Sequence, residues 1–363
     1  MNILWVSGTD AAGDTGVAAD AIAAVWRDQG HHLVHWPLTG ERLYTPAAFE
    51  EQRPPLSPTP RRPGRVALLG AMRRTLPNFD AVMVEQDLDT EFRVLEVLGT
   101  SRRRPRRWLM ARWPLGSYLA GRGEHVSRRP RRQAEVLYPH FHAVFTLVTG
   151  TADDLAAQFG VPQRRLITLP WPLPAWATPS EPAAMLPRVV TWGEATGLKG
   201  VEVLVQGLAA LGQQDIPASL LMVGGGARSQ EVARVAEALK VPVTILPPSA
   251  AAFAEVARGG VFHAPQWLDG TGVDLVLGAA AGLPLTAVAA PEAAAELLAQ
   301  GSLGRLVGLG SLESLTATLA PLLTDQAAWS GYHRAAGIVR AQHTADHVAG
   351  HWARGLAYAS DEA

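Results

Sequence analysis

The stretch NILWVSGTDAAGDTGVAADAIAAVWRDQGHHLVHW, residues 2–36, decides how the rest of the chain is read. Asn2 to Val6 is an apolar run of strand length, followed by a glycine-bearing turn, SGTDAAGDTG. In VAADAIAAVWRDQG the apolar residues recur at helical spacing, and the pattern stops at Gly30, a residue type that commonly closes helices. HHLVHW then reads as a second short strand. Strand, helix and strand in this order make a βαβ unit, whose two strands lie parallel.

The alternation continues outward from there. DAVMVE (80–85), RWLMA (107–111), AVFTLV (143–148) and RLITLP (165–170) read as buried strands separated by helical or loop segments. PWPLPAWATPSEPAAMLP (170–187) is dense in proline and without periodicity, the mark of a linker. Beyond it come the strand RVVTW, a helix from Lys199, the strand ASLLMVG and a helix from about Arg228. The strand VPVTIL, a helix near Ser249 to Arg258, the strand GVFHAP, a helix over 273–281, the strand LPLTAV and a helix over 292–299 follow. The last helical segments cover 325–340 and 345–358. The pattern predicts an α/β chain of two Rossmann-like, doubly wound domains, 1–170 and 188–340, joined by the linker 171–187. Residues 341–363 form a C-terminal helix that packs back toward the first domain. Open parallel sheets bind ligands at the carboxyl ends of their strands, so function is expected in a central cleft that both domains face.

Composition narrows the chemistry. The 363 residues are 48% hydrophobic and 18% charged, a folded-protein profile with enough apolar material for two cores. There is no cysteine, which removes disulfides, thiolate metal sites and cysteine nucleophiles. No apolar run approaches the ~20 residues that span a bilayer, and MNILWV is too short for a signal segment. A cytoplasmic protein is the expectation. The net charge of −1 conceals a bias: residues 1–170 hold 22 Arg against 17 acids, and Ser101 to Arg132 hold eleven Arg against a single Glu. That 102–132 cluster is expected to meet either an anionic membrane surface or an acidic acceptor, and not nucleic acid.

Two spacings in the second half carry more specific information. After the strand ending at Gly193 and Glu194 come four residues and then Lys199-Gly200, opening a helix. Further on stands APQWLDGTGVDLVLGAAAGLPLTAV, residues 264–288. Together these resemble glycosyltransferase family 4, retaining two-domain enzymes of the GT-B fold that take sugars from nucleotide diphosphates. The resemblance covers most of the chain and is strongest from about Phe141 to Leu323. In that family the first pattern is Gly-Arg, four residues, Lys-Gly. The second is Pro-Ser, two residues, Glu-Gly-x-Gly, a second Glu eight positions after the first, and an Ala-x-Gly-x-Pro tail.

The resemblance implies roles residue by residue. Lys199 meets the donor diphosphate at a helix start, where an ammonium adds to the positive end of the helix dipole. It is one of two lysines among 32 basic residues, and a compact three-donor charge suits such a position. Asp269 takes the place of the first acid, which touches donor-sugar hydroxyls; read from its neighbours alone, it equally caps the following helix. Gly270, Thr271 and Gly272 keep the loop whose amides approach phosphate and sugar oxygens. Gly224 and Gly225, in LLMVGGGARSQ, resemble a glycine-rich turn near the diphosphate, and Gly13, in GDTGV, one beneath the donor phosphates. Gly193 and Glu194 flank the same site. Arg112, following the strand 107–111, is placed on the acceptor side, with Trp113 as packing.

Two positions depart from the family. Glu194 stands in place of its arginine, and Leu277 in place of the acid that holds the ribose. A carboxylate beside a diphosphate is repulsive, and leucine accepts no hydrogen bond. The chain is therefore expected to be a hexosyltransferase that uses a nucleotide-diphosphate sugar as substrate, with retention and without cofactor or metal, acting on an unidentified acceptor. The alternative is a glycosyltransferase-like scaffold that has lost catalysis. A nicotinamide enzyme does not fit, because Gly8, Gly13 and Gly16 lack the dinucleotide spacing. A sugar epimerase lacks the paired carboxylates and histidine it needs. DLD at 87–89 and the histidines at 343, 347 and 351 are read as neither metal nor catalytic groups.

Overall fold

The opening βαβ unit forms where the sequence places it in a computed structural model of the chain: β1 (Asn2–Ser7), α1 (Asp14–Asp28) and β2 (His32–Pro37). The structure describes residues 1–7, 14–37, 50–51, 65–99, 105–121, 124–179, 181–193, 200–224, 226–267, 269–289 and 292–361. After β2 come β3 (Glu50–Glu51), α2 (Arg65–Thr75), β4 (Ala81–Glu85), α3 (Thr90–Gly99) and β5 (Arg106–Met110). They are followed by α4 (Leu115–Gly121), α5 (Glu124–Leu137), β6 (Ala143–Thr146), α6 (Thr149–Phe159) and β7 (Leu166–Thr168). These strands build one seven-stranded parallel sheet in the order β3-β2-β1-β4-β5-β6-β7.

The second sheet repeats the plan. Its elements are β8 (Ala184–Gly193), α7 (Val201–Gly212), β9 (Ser219–Gly224), α8 (Ser229–Ala238), β10 (Val243–Leu246), α9 (Ala250–Ala257) and β11 (Gly259–Ala264). They continue with α10 (Val273–Ala280), β12 (Leu285–Val288), α11 (Glu292–Leu297), β13 (Arg305–Val307), α12 (Leu312–Thr324) and α13 (Gln326–Ala341). The six strands run parallel in the order β10-β9-β8-β11-β12-β13. Both sheets reverse direction of growth at one point, between β1 and β4 and between β8 and β11, which is where doubly wound sheets open a crevice for ligands.

Two units result, Met1–Pro172 with Val348–Ala363, and Leu173–His347. The last helix, α14 (Ala345–Asp361), thus returns to the first unit, as expected of it. Trp352 on α14 is fully buried, stacks on Phe145 at 6.0 Å and meets Trp26 edge-on at 5.7 Å. Trp26 is in turn packed against Trp5 and Trp108. The Trp352 indole N–H donates to the Pro170 carbonyl at 2.8 Å. Gly355 brings the helix close to β7, since a Cβ there would stand 2.7 Å from Leu169 Cδ1.

In the second unit Val189, Leu204, Leu208, Met222, Val261, Leu315 and Leu319 form the core between the sheet and helices α7 and α12. β11 begins with two glycines at positive φ, +140° for Gly259 and +112° for Gly260, where its register against β8 shifts. A Cβ on Gly259 would lie 1.9 Å from the Ala184 carbonyl oxygen. The two strands approach closely enough here to exclude any side chain.

Some expectations change. β8 starts at Ala184, before the apolar run at 188, because its first residues pair with the displaced start of β11. β3 and β13, two and three residues long, were not anticipated. The helix at 149 has Val148 as its N-cap, with no side-chain capping bond. No described helix is long and apolar enough to cross a membrane.

Candidate functional site

At the carboxyl end of the second sheet, β8 and β9 finish side by side on paired glycines, Gly193 opposite Gly224. Both have positive φ, +111° and +109°. A Cβ on Gly224 would be 2.5 Å from the Gly193 carbonyl oxygen, so glycine is required at this level of the sheet. Gly200, the next described residue, is the N-cap of α7 and offers no side chain of its own to the helix amides. Among the described residues, the Leu204 amide donates to the Gly200 carbonyl at 3.1 Å. The amides of the first turn lie at the positive end of the helix dipole.

The loop after β11 lies against that helix start. A Cβ on Gly200 would meet Trp267 Nε1 at 2.9 Å and the Pro265 carbonyl oxygen at 3.1 Å. Asp269 ties the rest of the loop to itself: Oδ1 accepts from the Thr271 amide and hydroxyl, both at 2.8 Å, and Oδ2 from the Gly272 amide at 2.9 Å. Gly272, with φ +64°, caps α10, and a Cβ there would fall 2.1 Å from Leu297 Cδ1. Every residue of α10 is buried, Leu277 included. Asp274 in its first turn accepts from the Gln266 side-chain amide and, at 2.8 Å, from the Leu275 amide.

Behind the loop a cavity of ≈ 20 Å³ is lined by Gly200, Leu204, His263, Trp267, Gly308 and Ser311. It has room for about one water and is too small for a substrate. The Thr286 hydroxyl donates to the Phe262 carbonyl at 2.9 Å, so its oxygen must accept from His263 Nδ1 at 2.9 Å. That fixes His263 as the Nδ1-H tautomer. Burial pushes its pKa from 6.5 down to about 3. On the other side of α7, Arg228 is held by two carboxylates, Glu202 at 2.6 Å and Glu231 at 2.7 Å.

In the first unit, Arg112 follows β5. Its amide donates to Gln86 Oε1 at 2.9 Å, and its guanidinium lies 5.0 Å from the Trp113 ring centre. Trp113 stacks on Tyr118 at 4.9 Å, so the tryptophan read as packing is part of a cation-aromatic column. Beneath it, the Gln86 side-chain amide donates to the Tyr138 hydroxyl, which donates to Glu91 Oε1 at 3.0 Å. Burial first, and then the neighbouring Asp87, push the Glu91 pKa from 4.5 up to about 8.

These shifts have opposite signs. Folded His263 binds its proton less tightly than the unfolded chain does, so its contribution to the second unit is lost as pH falls from 6.5 toward 3. Glu91 stabilises the first unit in its protonated form, a contribution lost as pH rises from 4.5 to 8. His142, in the first unit, is pushed down to about 4 by burial and by Arg107, so it opposes Glu91 only below pH 6.5. Raising pH from 6.5 to 8 should therefore lower amide protection, measured relative to the base-catalysed intrinsic exchange rate at each pH, in the first unit and leave it unchanged in the second. Equal responses in both units would contradict this assignment.

The structure thus gathers Gly193, Gly224, Asp269, Gly270, Thr271 and Gly272 in the second unit and places Arg112 in the first. Gly13, Glu194, Lys199 and Gly225 lie outside the described residues. Sequence reading passed over Trp267, Arg228, and the His263–Thr286 and Gln266–Asp274 pairs. Only Asp274, an acid inside the apolar run VDLVLGAAA, carried a visible signal.

Residues 186–325 match the family model described as glycosyl transferases group 1. No curated protein matches the chain in sequence. Among solved structures, HepE of Anabaena in complex with UDP and glucose is similar at a TM-score of 0.78 and 16% identity, covering 98% of this chain and 99% of that one. WaaG, a glycosyltransferase involved in lipopolysaccharide biosynthesis, gives 0.73 and 17% identity over 99% of both chains. Sucrose-phosphate synthase from Thermosynechococcus elongatus gives 0.77 and 16%, over 99% of this chain and 98% of its own. These likenesses show the GT-B fold.

Proposed function

We propose that this GT-B chain, with its group 1 match in the second unit, is a glycosyltransferase that moves a hexose from a nucleotide-diphosphate sugar to an acceptor, with retention and without a metal. The observation that carries the reading is the bare backbone where β8 and β9 end on Gly193 and Gly224, with α7 starting at a glycine N-cap, Gly200. Amides at a helix start receive phosphate oxygens, and Lys199, immediately before Gly200 in sequence, adds a full positive charge for the departing diphosphate. The second unit takes the donor and the first, through Arg112, the acceptor. HepE bound to UDP-glucose is the same architecture carrying such a donor.

Asp269 braces its loop through the Thr271 and Gly272 amides. Asp269→Ala is expected to loosen that loop and weaken donor binding. Titration calorimetry with UDP, GDP and ADP and their hexose conjugates tests the whole reading. No heat from any of them at millimolar concentration would refute it.

The buried Leu277 favours a second reading, a scaffold without turnover, because no acid stands there for a ribose. Release of sugar from a bound donor would dismiss the scaffold. For the arginine cluster we propose attachment to anionic lipid or an acidic acceptor, supported by exposed Arg128, Arg129 and Arg132 on α5. Binding to phosphatidylglycerol vesicles should then weaken with added salt.

A further inference from the structure

The amino end of the first sheet, opposite the carboxyl ends where doubly wound sheets take their ligands, gathers cations. Arg106 and Arg107 open β5, His142 stands one residue before β6, and Arg165 closes the short turn Gln163–Arg165 that leads into β7. β5, β6 and β7 are neighbours in the sheet, which brings these four half-buried residues to one place. The His142 amide donates to the Arg107 carbonyl at 2.8 Å, and the Arg165 guanidinium donates to the Pro139 carbonyl just ahead of it. Only Arg106 and Arg107 belong to the arginine-rich stretch 102–132, so the cluster is assembled by the fold.

Hydrogen bonds fix the histidine ring. The Arg107 amide can only donate, so His142 Nδ1 accepts from it at 3.0 Å and the ring proton sits on Nε2. Nε2 faces Arg107 Nη2 at 3.5 Å. Two donors cannot bond each other, but one oxyanion accepts from both. Arg106 Nε is buried without a hydrogen-bond partner, a costly state for a charged donor. Neither Arg106 nor Arg165 forms an ion pair with a described carboxylate. Asp80, whose carbonyl accepts from the Arg106 amide at 3.0 Å, turns its carboxylate to the Asn2 amide at 2.7 Å. Burial, then Arg107, Arg165 and Arg106, push the His142 pKa from 6.5 down to about 4, so all three guanidiniums act on this ring.

We infer that Arg106, Arg107, Arg165 and the His142 Nε2–H form a binding site for a phosphate monoester at the amino end of the first sheet. A carboxylate brings one negative charge, whereas a phosphate monoester brings about 1.5 to 2 at pH 7, closer to what three guanidiniums balance. Guanidinium forks also take phosphate oxygens two at a time. The same chemistry is offered by a soluble phosphate and by the headgroup of phosphatidic acid. The site uses none of the residues assigned to the nucleotide sugar, so the inference stands apart from that reading.

The full chain is titrated with inorganic phosphate by calorimetry and floated with phosphatidic acid vesicles, phosphatidylcholine vesicles serving as the blank. Binding to phosphate marks a soluble ligand, and binding to phosphatidic acid alone marks a lipid headgroup. Arg106→Gln and Arg165→Gln should each weaken that binding about tenfold or more, the size expected for a hydrogen bond to a charged group. Arg340→Gln, exposed at the end of α13, should leave it unchanged. In the unaltered chain the Arg107 and His142 amide signals should move with the bound probe and not with chloride, a readout that survives if a variant fails to fold. Binding of neither probe, an equal loss in Arg340→Gln, or amide signals that stay in place would each overturn the inference.

Discussion

Replacing Trp352 with alanine should lower the stability of the first unit by about 3–5 kcal/mol, the range for removing a large buried aromatic side chain. Three losses combine. The ring stacked on Phe145 and set against Trp26 leaves a cavity among rigid neighbours, Trp5 and Trp108 included, that do not collapse into it. The Pro170 carbonyl loses its donor. Finally, α14 keeps only Val348, Gly355, Leu356 and Ala359 as buried contacts. A domain is stable by only about 5–15 kcal/mol, so most of the margin goes. Because chains of more than one domain depart from two-state unfolding, calorimetry is the appropriate measurement. One transition should drop sharply while the other keeps its wild-type temperature. A uniform shift of both, or none, would show that Trp352 does not hold the first unit alone.

Gly224→Ala is the second large effect, expected at about 3 kcal/mol or more, with loss of nucleotide binding. At φ +109° a non-glycine residue costs on the order of 1–3 kcal/mol. The added Cβ would also stand 2.5 Å from the Gly193 carbonyl oxygen, which is main chain and has no rotamer to retreat into. The ends of β8 and β9 must separate, and these are the ends proposed to receive the donor. Gly30→Ala separates the two causes: its φ is +84°, but nothing lies within 4 Å of the added carbon. It should cost only about 1 kcal/mol. Equal costs at both positions, from chemical denaturation, would mean that strain alone matters and crowding does not.

The fold was readable because its strands are buried on both faces and so appear as short continuous apolar runs, as in Val82 to Val84 and Val189 to Trp192. β3 left no such trace. It consists of Glu50 and Glu51 at the sheet edge, held by pairing with Val34 and His35. The site divides in the same way. Glycines announce themselves, since Gly193, Gly224 and Gly272 sit where the backbone turns or crowds. The two readings of Asp269 could not be separated in sequence, because both use an acid shortly before a helix; in the structure its oxygens turn to its own loop, four residues before α10 begins. Trp267 was invisible because its meaning lies in its distance from Gly200, 67 positions earlier in the numbering.

The chain enters the first unit twice, at Met1–Pro172 and again at Val348–Ala363, with all of Leu173–His347 between. On a ribosome adding about 5–20 residues per second, the interval between the two visits is on the order of ten seconds or more. Throughout it the nascent first unit must wait with Trp26 and Phe145 uncovered, an adhesive face for chaperones and for neighbouring polysomes alike. Synonymous codons that slow elongation through the middle of the message should lengthen that wait and lower the soluble yield.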